Sequence, residues 1–132
     1  MTTMAKGTFD VKMAPLAFEN APEGAPLGRM SLEKTYHGDL AATASGQMLA
    51  AFTSVKESAV YSAVEIVTGT LHGRSGSFAL QHTGTMHRGA QTLVIAVVPD
   101  SGTGALAGLS GTMTIRIDGS NHFYEFTYTL PE

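Results

Sequence analysis

The chain has no cysteine and little charge: Asp, Glu, Lys and Arg together make up 14% of its 132 residues. Without cysteine there can be no disulfide, no thiolate nucleophile and no cysteine-based zinc site. The same absence fits a reducing cytosol, and a cytoplasmic protein is expected. Disordered chains combine many charges with few apolar residues, so 14% charged against 43% hydrophobic argues for a folded core. Basic clusters are also missing. Eight Lys and Arg are scattered from Lys6 to Arg116 under a net charge of −3, which denies nucleic acid the concentrated positive footprint it needs. Met1 to Asp10 lacks the long apolar core of a signal peptide. No apolar run approaches a membrane span, and the most apolar stretch, Ala90 to Pro99, is cut off by Pro99 and Asp100. Neither a nucleic-acid partner nor a membrane is expected.

Helical periodicity is scarce too, and what remains reads as strands and tight turns rich in Gly, Thr and Val. Thr3 to Met13 alternates as a first strand. Ala14 to Gly28 holds three prolines, cannot sit in a sheet centre, and reads as a long crossing loop. Arg29 to His37 is a second strand, with Met30, Leu32, Lys34 and Tyr36 on one face, and Gly38-Asp39 is a hairpin turn. Leu40 to Thr53, Ala59 to Gly73, Ser75 to His87 and Ala90 to Val98 follow as strands three to six. Pro99 to Gly104 is a turn-rich connector, Leu106 to Asp118 a seventh strand broken by Gly108 and Gly111, and His122 to Leu130 an eighth. No helical crossover separates the later strands, so antiparallel pairing is expected. Eight such strands can close into a barrel with no free edge and an interior wide enough for side chains or one small ligand. The competing architecture is a two-sheet sandwich. One domain over residues 1–132 accounts for the whole chain.

Several spacings are specific in combination. Tyr61-x-x-x-Glu65-x-x-x-Gly69-x-Leu71-x-Gly73-Arg74-x-Gly76-Ser77-Phe78 runs into Gln81-His82-x-Gly84. Val98-Pro99-Asp100-Ser101-Gly102-Thr103-Gly104-x-Leu106-x-Gly108 and the closing His122-x-Tyr124-x-Phe126-x-Tyr128-x-Leu130 complete the set. Over roughly residues 5 to 130 this constellation resembles an uncharacterised bacterial family of small domains with a calycin-like barrel, similar to that of the plant allene oxide cyclases. The resemblance implies an all-β, eight-stranded antiparallel closed barrel. It implies no cyclase activity, because one fold hosts unrelated chemistries, and no cyclase active-site residue is carried over.

Candidate site residues come from strand parity. Tyr61, Ala63, Glu65, Val67 and Leu71 share one face; Phe78, Leu80, His82, Gly84 and Met86 share another; His122, Tyr124, Phe126, Tyr128 and Leu130 share a third. Each face is mostly apolar, so each is expected to point inward, and each carries polar members. A carboxylate on such a face must find a partner or change its pKa. Glu65 and His82 lie on consecutive strands, where they form either a satisfied structural pair or the polar floor of a cavity, Glu65 as base or acceptor and His82 as acid or base. Tyr61, Glu65, Phe78, His82, His122 and Tyr124 are the candidate ligand-binding residues. Glu65, His82 and His122 would be the only metal set, and the histidines lack ligand spacing, so no metal is expected. Pro99 to Gly104 lacks the Lys and helix of a phosphate loop, and no cofactor is expected. The expected function is binding of a small apolar molecule inside the barrel. Two readings compete with it: an isomerase or cyclase acting on a hydrophobic substrate, and a structural barrel filled by its own side chains. The filled barrel would point to self-association as a homo-oligomer, for which a C2 dimer is the commonest default, and no sequence feature fixes the number of subunits.

Overall fold

In the computed structural model, which describes residues 2–131, eight strands follow one another almost without interruption. They are β1 (Thr3–Leu16), β2 (Leu27–Gly38), β3 (Leu40–Phe52), β4 (Ala59–Leu71), β5 (Arg74–His87), β6 (Ala90–Val97), β7 (Ser110–Asp118) and β8 (Asn121–Thr129). Each is antiparallel to its neighbours in sequence, and β8 returns to β1 through the pairs Thr3↔Tyr128 to Phe9↔His122. That last ladder distinguishes a closed barrel from a sandwich, so the all-β closed barrel expected from the sequence is the fold. Among the described residues the only helical element is one turn at Gly104–Leu106. Among the described residues no helix is long and apolar enough to cross a membrane.

Alternation sets the inside and the outside. On β4 the residues Ala63, Glu65 and Val67 are buried while Ser62, Val64 and Ile66 are exposed, and β5 and β8 follow the same rule. The tight turns His72-Gly73 and Arg88-Gly89 have positive φ at both residues, the backbone geometry that matches a two-residue hairpin to strand twist.

Two boundaries differ from expectation. The proline-rich stretch is a hairpin connection over residues 17–26 between paired neighbours, not a crossing loop. Strand β1 continues through Pro15, which pairs with Met30. Pairing of β1 with β8 stops at Phe9, so beyond it β1 is a free edge, where a residue without an N–H is tolerated. The second difference is at β7, which begins at Ser110 rather than Leu106; Leu106 and Leu109 instead turn inward and are buried.

The barrel has one closed and one open end. At the closed end Leu106, Leu71, Phe78 and Phe126 fill the interior. There the Tyr124 hydroxyl accepts the Leu40 N–H and donates to the His37 carbonyl, both at 2.9 Å. At the open end the wall splits. Only Ile95↔Met113 and Ala96↔Thr112 join β6 to β7, so Ala90–Val94 and Thr114–Asp118 run on without pairing to each other.

Candidate functional site

The residues facing the barrel axis form three layers between those ends: apolar packing at the closed end, a polar cluster at mid-height, and an apolar mouth at the open end.

Glu65 is the centre of the polar cluster. Its Oε2 accepts a hydrogen bond from Lys34 Nζ at 2.8 Å and one from His82 Nε2 at 2.7 Å. Its Oε1 accepts the Tyr36 hydroxyl. A carboxylate acceptor requires the His82 tautomer with its proton on Nε2. Glu65, His82 and Lys34 are 2%, 4% and 8% exposed, so this is a buried ion pair with two further donors rather than a surface bridge. The Lys34 ammonium also lies 5.3 Å from the centre of the Phe9 ring, a cation–π distance. Lys34 and Glu65 belong to β2 and β4, with β3 between them. They meet because β3 offers only Ala42, Ala44 and Gly46 on its inner face at that height.

Burial alone would raise the Glu65 pKa. The hydrogen bond from His82, the charge and hydrogen bond of Lys34 and the bond from Tyr36 outweigh it and hold the carboxyl at about 2. Tyr36 is driven the other way, well above the ordinary phenol value, by burial and by the adjacent Glu65 charge. Every enclosed side-chain nitrogen and oxygen among the described residues has a partner.

Above this cluster opens an apolar cavity of about 420 Å³. Met30, Met48, Met86, Tyr61, Phe52 and Leu93 line it, with Gly84 at its side. Gly84 is there because of Tyr61: a Cβ at position 84 would sit 2.1 Å from a carbon of the Tyr61 ring, so only glycine lets that ring lie flat against β5. Burial raises the Tyr61 pKa. Among the described residues its hydroxyl has no hydrogen-bond partner, and it joins Thr85, Gln91 and Thr92 as the polar members of a mostly apolar wall.

The six residues singled out from parity therefore separate. Glu65 and His82 meet. Tyr61 lines the mouth one layer away, and neither Glu65 nor His82 belongs to the cavity lining. Phe78 lies in the closed half, 5.7 Å centre to centre from Phe126 and nearly parallel to it. Tyr124 pins the β2–β3 turn. His122 packs on Phe9 at 5.1 Å and shares no hydrogen bond with Glu65 or His82. Among the described residues no group of three His, Asp or Glu is placed to hold a metal. Sequence reasoning missed Lys34 and Tyr36 as partners of Glu65. The signal for Lys34 was present: a lysine at inward parity between Leu32 and Tyr36, facing a row of small residues on β3.

A family model described as a protein of unknown function (DUF3224) matches residues 5–128. The crystal structure of a protein with unknown function from the DUF3224 family, from Shewanella oneidensis MR-1, is 48% identical to the chain with a TM-score of 0.91. That alignment covers 100% of each chain. Comparison with curated proteins found no match.

Proposed function

The chain belongs to the DUF3224 family of proteins of unknown function, and from its geometry we propose that it binds one small, neutral, largely apolar molecule in the open mouth of the barrel. The observation that carries this reading is the cavity of about 420 Å³ walled by three methionines, Phe52 and Leu93, with Tyr61, Thr85, Gln91 and Thr92 as its polar members. Its volume lies within the range of small-molecule sites, which are mostly apolar with a few placed polar groups. Unbranched methionine side chains adapt to the shape of what they contact. The Tyr61 hydroxyl would hold one hydrogen-bonding group of the ligand. No formal charge lines the cavity, which is why a neutral ligand is favoured.

Binding is favoured over proton-transfer catalysis by the state of Glu65. Both its oxygens are occupied by donors, and its pKa near 2 makes it a weak base. A general base works best with a pKa near the working pH. The cluster therefore acts as a rigid floor that ties β2, β4 and β5 together beneath the mouth.

The test is a fluorescence titration with N-phenyl-1-naphthylamine, a neutral apolar probe with one N–H. Saturable enhancement at one probe per chain is expected, weakened at least about tenfold by Met48→Glu, which places a charge in the wall at a cost of more than about 1.4 kcal/mol. An unsaturable response, or one that Met48→Glu leaves unchanged in a folded protein, overturns the reading.

A further inference from the structure

Charge is unevenly distributed over the outside of the barrel. Outward positions on β1, β2, β7 and β8 carry Lys6, Asp10, Lys12, Arg29, Glu33, Arg116, Asp118 and Glu125. The other half carries none: the outward positions of β3 from Thr43 to Ala51, β4 from Val60 to Thr70, β5 from Ser75 to Thr85 and β6 from Ala90 to Ala96 hold only Ala, Ser, Thr, Gln, Val, Leu and Ile. At its centre Val64 and Ile66 are 56% and 54% exposed, with Leu49, Val60 and Val94 around them. Thr83 bridges the patch, since it pairs with Ser62 on one side and Val94 on the other.

Three features say what covers this face. First, it is large enough. Four strands about 4.8 Å apart, with outward rows roughly 25–30 Å long, present about 500–600 Å² in projection and more in accessible area, approaching the ~800 Å² that each partner gives to a standard interface. Second, it is self-compatible: its own positions carry no charge, with Arg29 of β2 reaching Gln47 at its edge, so it meets its own copy with little like-charge repulsion, whereas the opposite half would have to match eight charges. Third, it holds a ridge beside a hollow. Val64 and Ile66 rise from one wall of a shallow depression that Ser45, Gly46, Gln47 and Ala79 complete, so a twofold rotation can lay the two side chains of each copy over the depression of the other, as a self-complementary isologous contact requires.

We propose that the outer face of β3–β6 binds a second copy of this chain through a twofold contact centred on Val64 and Ile66. The contact is centred on the outside of the wall and meets the mouth only at its rim, where Val60, Thr85 and Thr92 belong to both.

Light scattering on the full chain at about 100 µM, where contacts with micromolar Kd are populated, should give twice the 13.8 kDa chain mass. Val64→Glu with Ile66→Glu should return one chain mass with an unchanged circular dichroism spectrum. Because the chain has no cysteine, Ile66→Cys provides a second readout that does not rely on the charged variant folding. Mild oxidation should convert it to a disulfide-linked dimer, and Thr114→Cys on the charged half should stay single. The proposal is overturned by a wild-type protein of one chain mass, by an assembly of more than two chains, by a dimer that survives the double substitution, or by Ile66→Cys linking no faster than Thr114→Cys.

Discussion

Replacing Glu65 by Gln keeps the size and shape of the side chain and removes its charge. Lys34 is then left as a buried ammonium whose Nζ partners at hydrogen-bonding distance are an amide and the Tyr36 hydroxyl. The magnitude follows from the carboxyl itself. Its pKa falls from the ordinary 4.5 to about 2 in the folded protein, and each unit corresponds to 1.36 kcal/mol, so the native surroundings favour the ionised form by about 3 kcal/mol. A carboxyl with a depressed folded-state pKa contributes that stability above its unfolded pKa and loses it as pH falls through the folded value. Glu65→Gln should therefore cost about 3 kcal/mol at neutral pH, in line with the ~3–5 kcal/mol of a broken buried pair, and lower Tm by about 10 °C. Wild type and variant should converge as pH falls from about 4.5 to about 2, because the wild-type carboxyl then becomes neutral as well. Urea unfolding across that range measures both effects. A variant within about 0.5 kcal/mol of wild type at neutral pH, or an acid dependence that the substitution leaves intact, would refute the reasoning.

Four further outcomes are expected. Adding Lys34→Met to Glu65→Gln should recover part of the lost stability, since two neutral groups replace an unpaired charge; urea unfolding of the double variant measures it. Gly84→Ala should destabilise by about 1–3 kcal/mol and weaken N-phenyl-1-naphthylamine binding, because the new Cβ collides with the Tyr61 ring. Tyr124→Phe should cost about 1–3 kcal/mol in thermal unfolding, since the Leu40 N–H loses its acceptor inside the closed end. Tyr61→Phe should leave stability nearly unchanged and lower probe affinity about fivefold, the worth of one hydrogen bond of about 1 kcal/mol.

Much of the architecture was legible because strand parity is local. The faces Ala63-Glu65-Val67, Leu80-His82-Gly84 and Tyr124-Phe126-Tyr128 are set by period two alone, and all three point inward. Register is not local. The contact between Glu65 and His82 depends on Ala63 standing opposite His82 and Glu65 opposite Leu80, which no single strand encodes. The Lys34–Glu65 pair was harder still, since it spans β3 and exists only because Ala42, Ala44 and Gly46 leave the space above them empty. The prolines misled because the edge on which Pro15 sits is created by the shear of β1 against β8, a property of closure. The methionine mouth rests on closure too: Met30, Met48 and Met86 come from three strands and converge only in the closed barrel.

The most direct measurement is a methyl spectrum of the protein labelled with 13C at the methionine ε-methyl groups, recorded during a titration with N-phenyl-1-naphthylamine. Met30, Met48 and Met86 line the mouth, Met113 is buried beside Ile95 away from it, and Met4 lies on the outer wall. Binding in the mouth predicts saturable shifts of Met30, Met48 and Met86 with one shared affinity, and still signals from Met113 and Met4. Unmoved mouth methyls, or shifts spread equally over Met4, would contradict it.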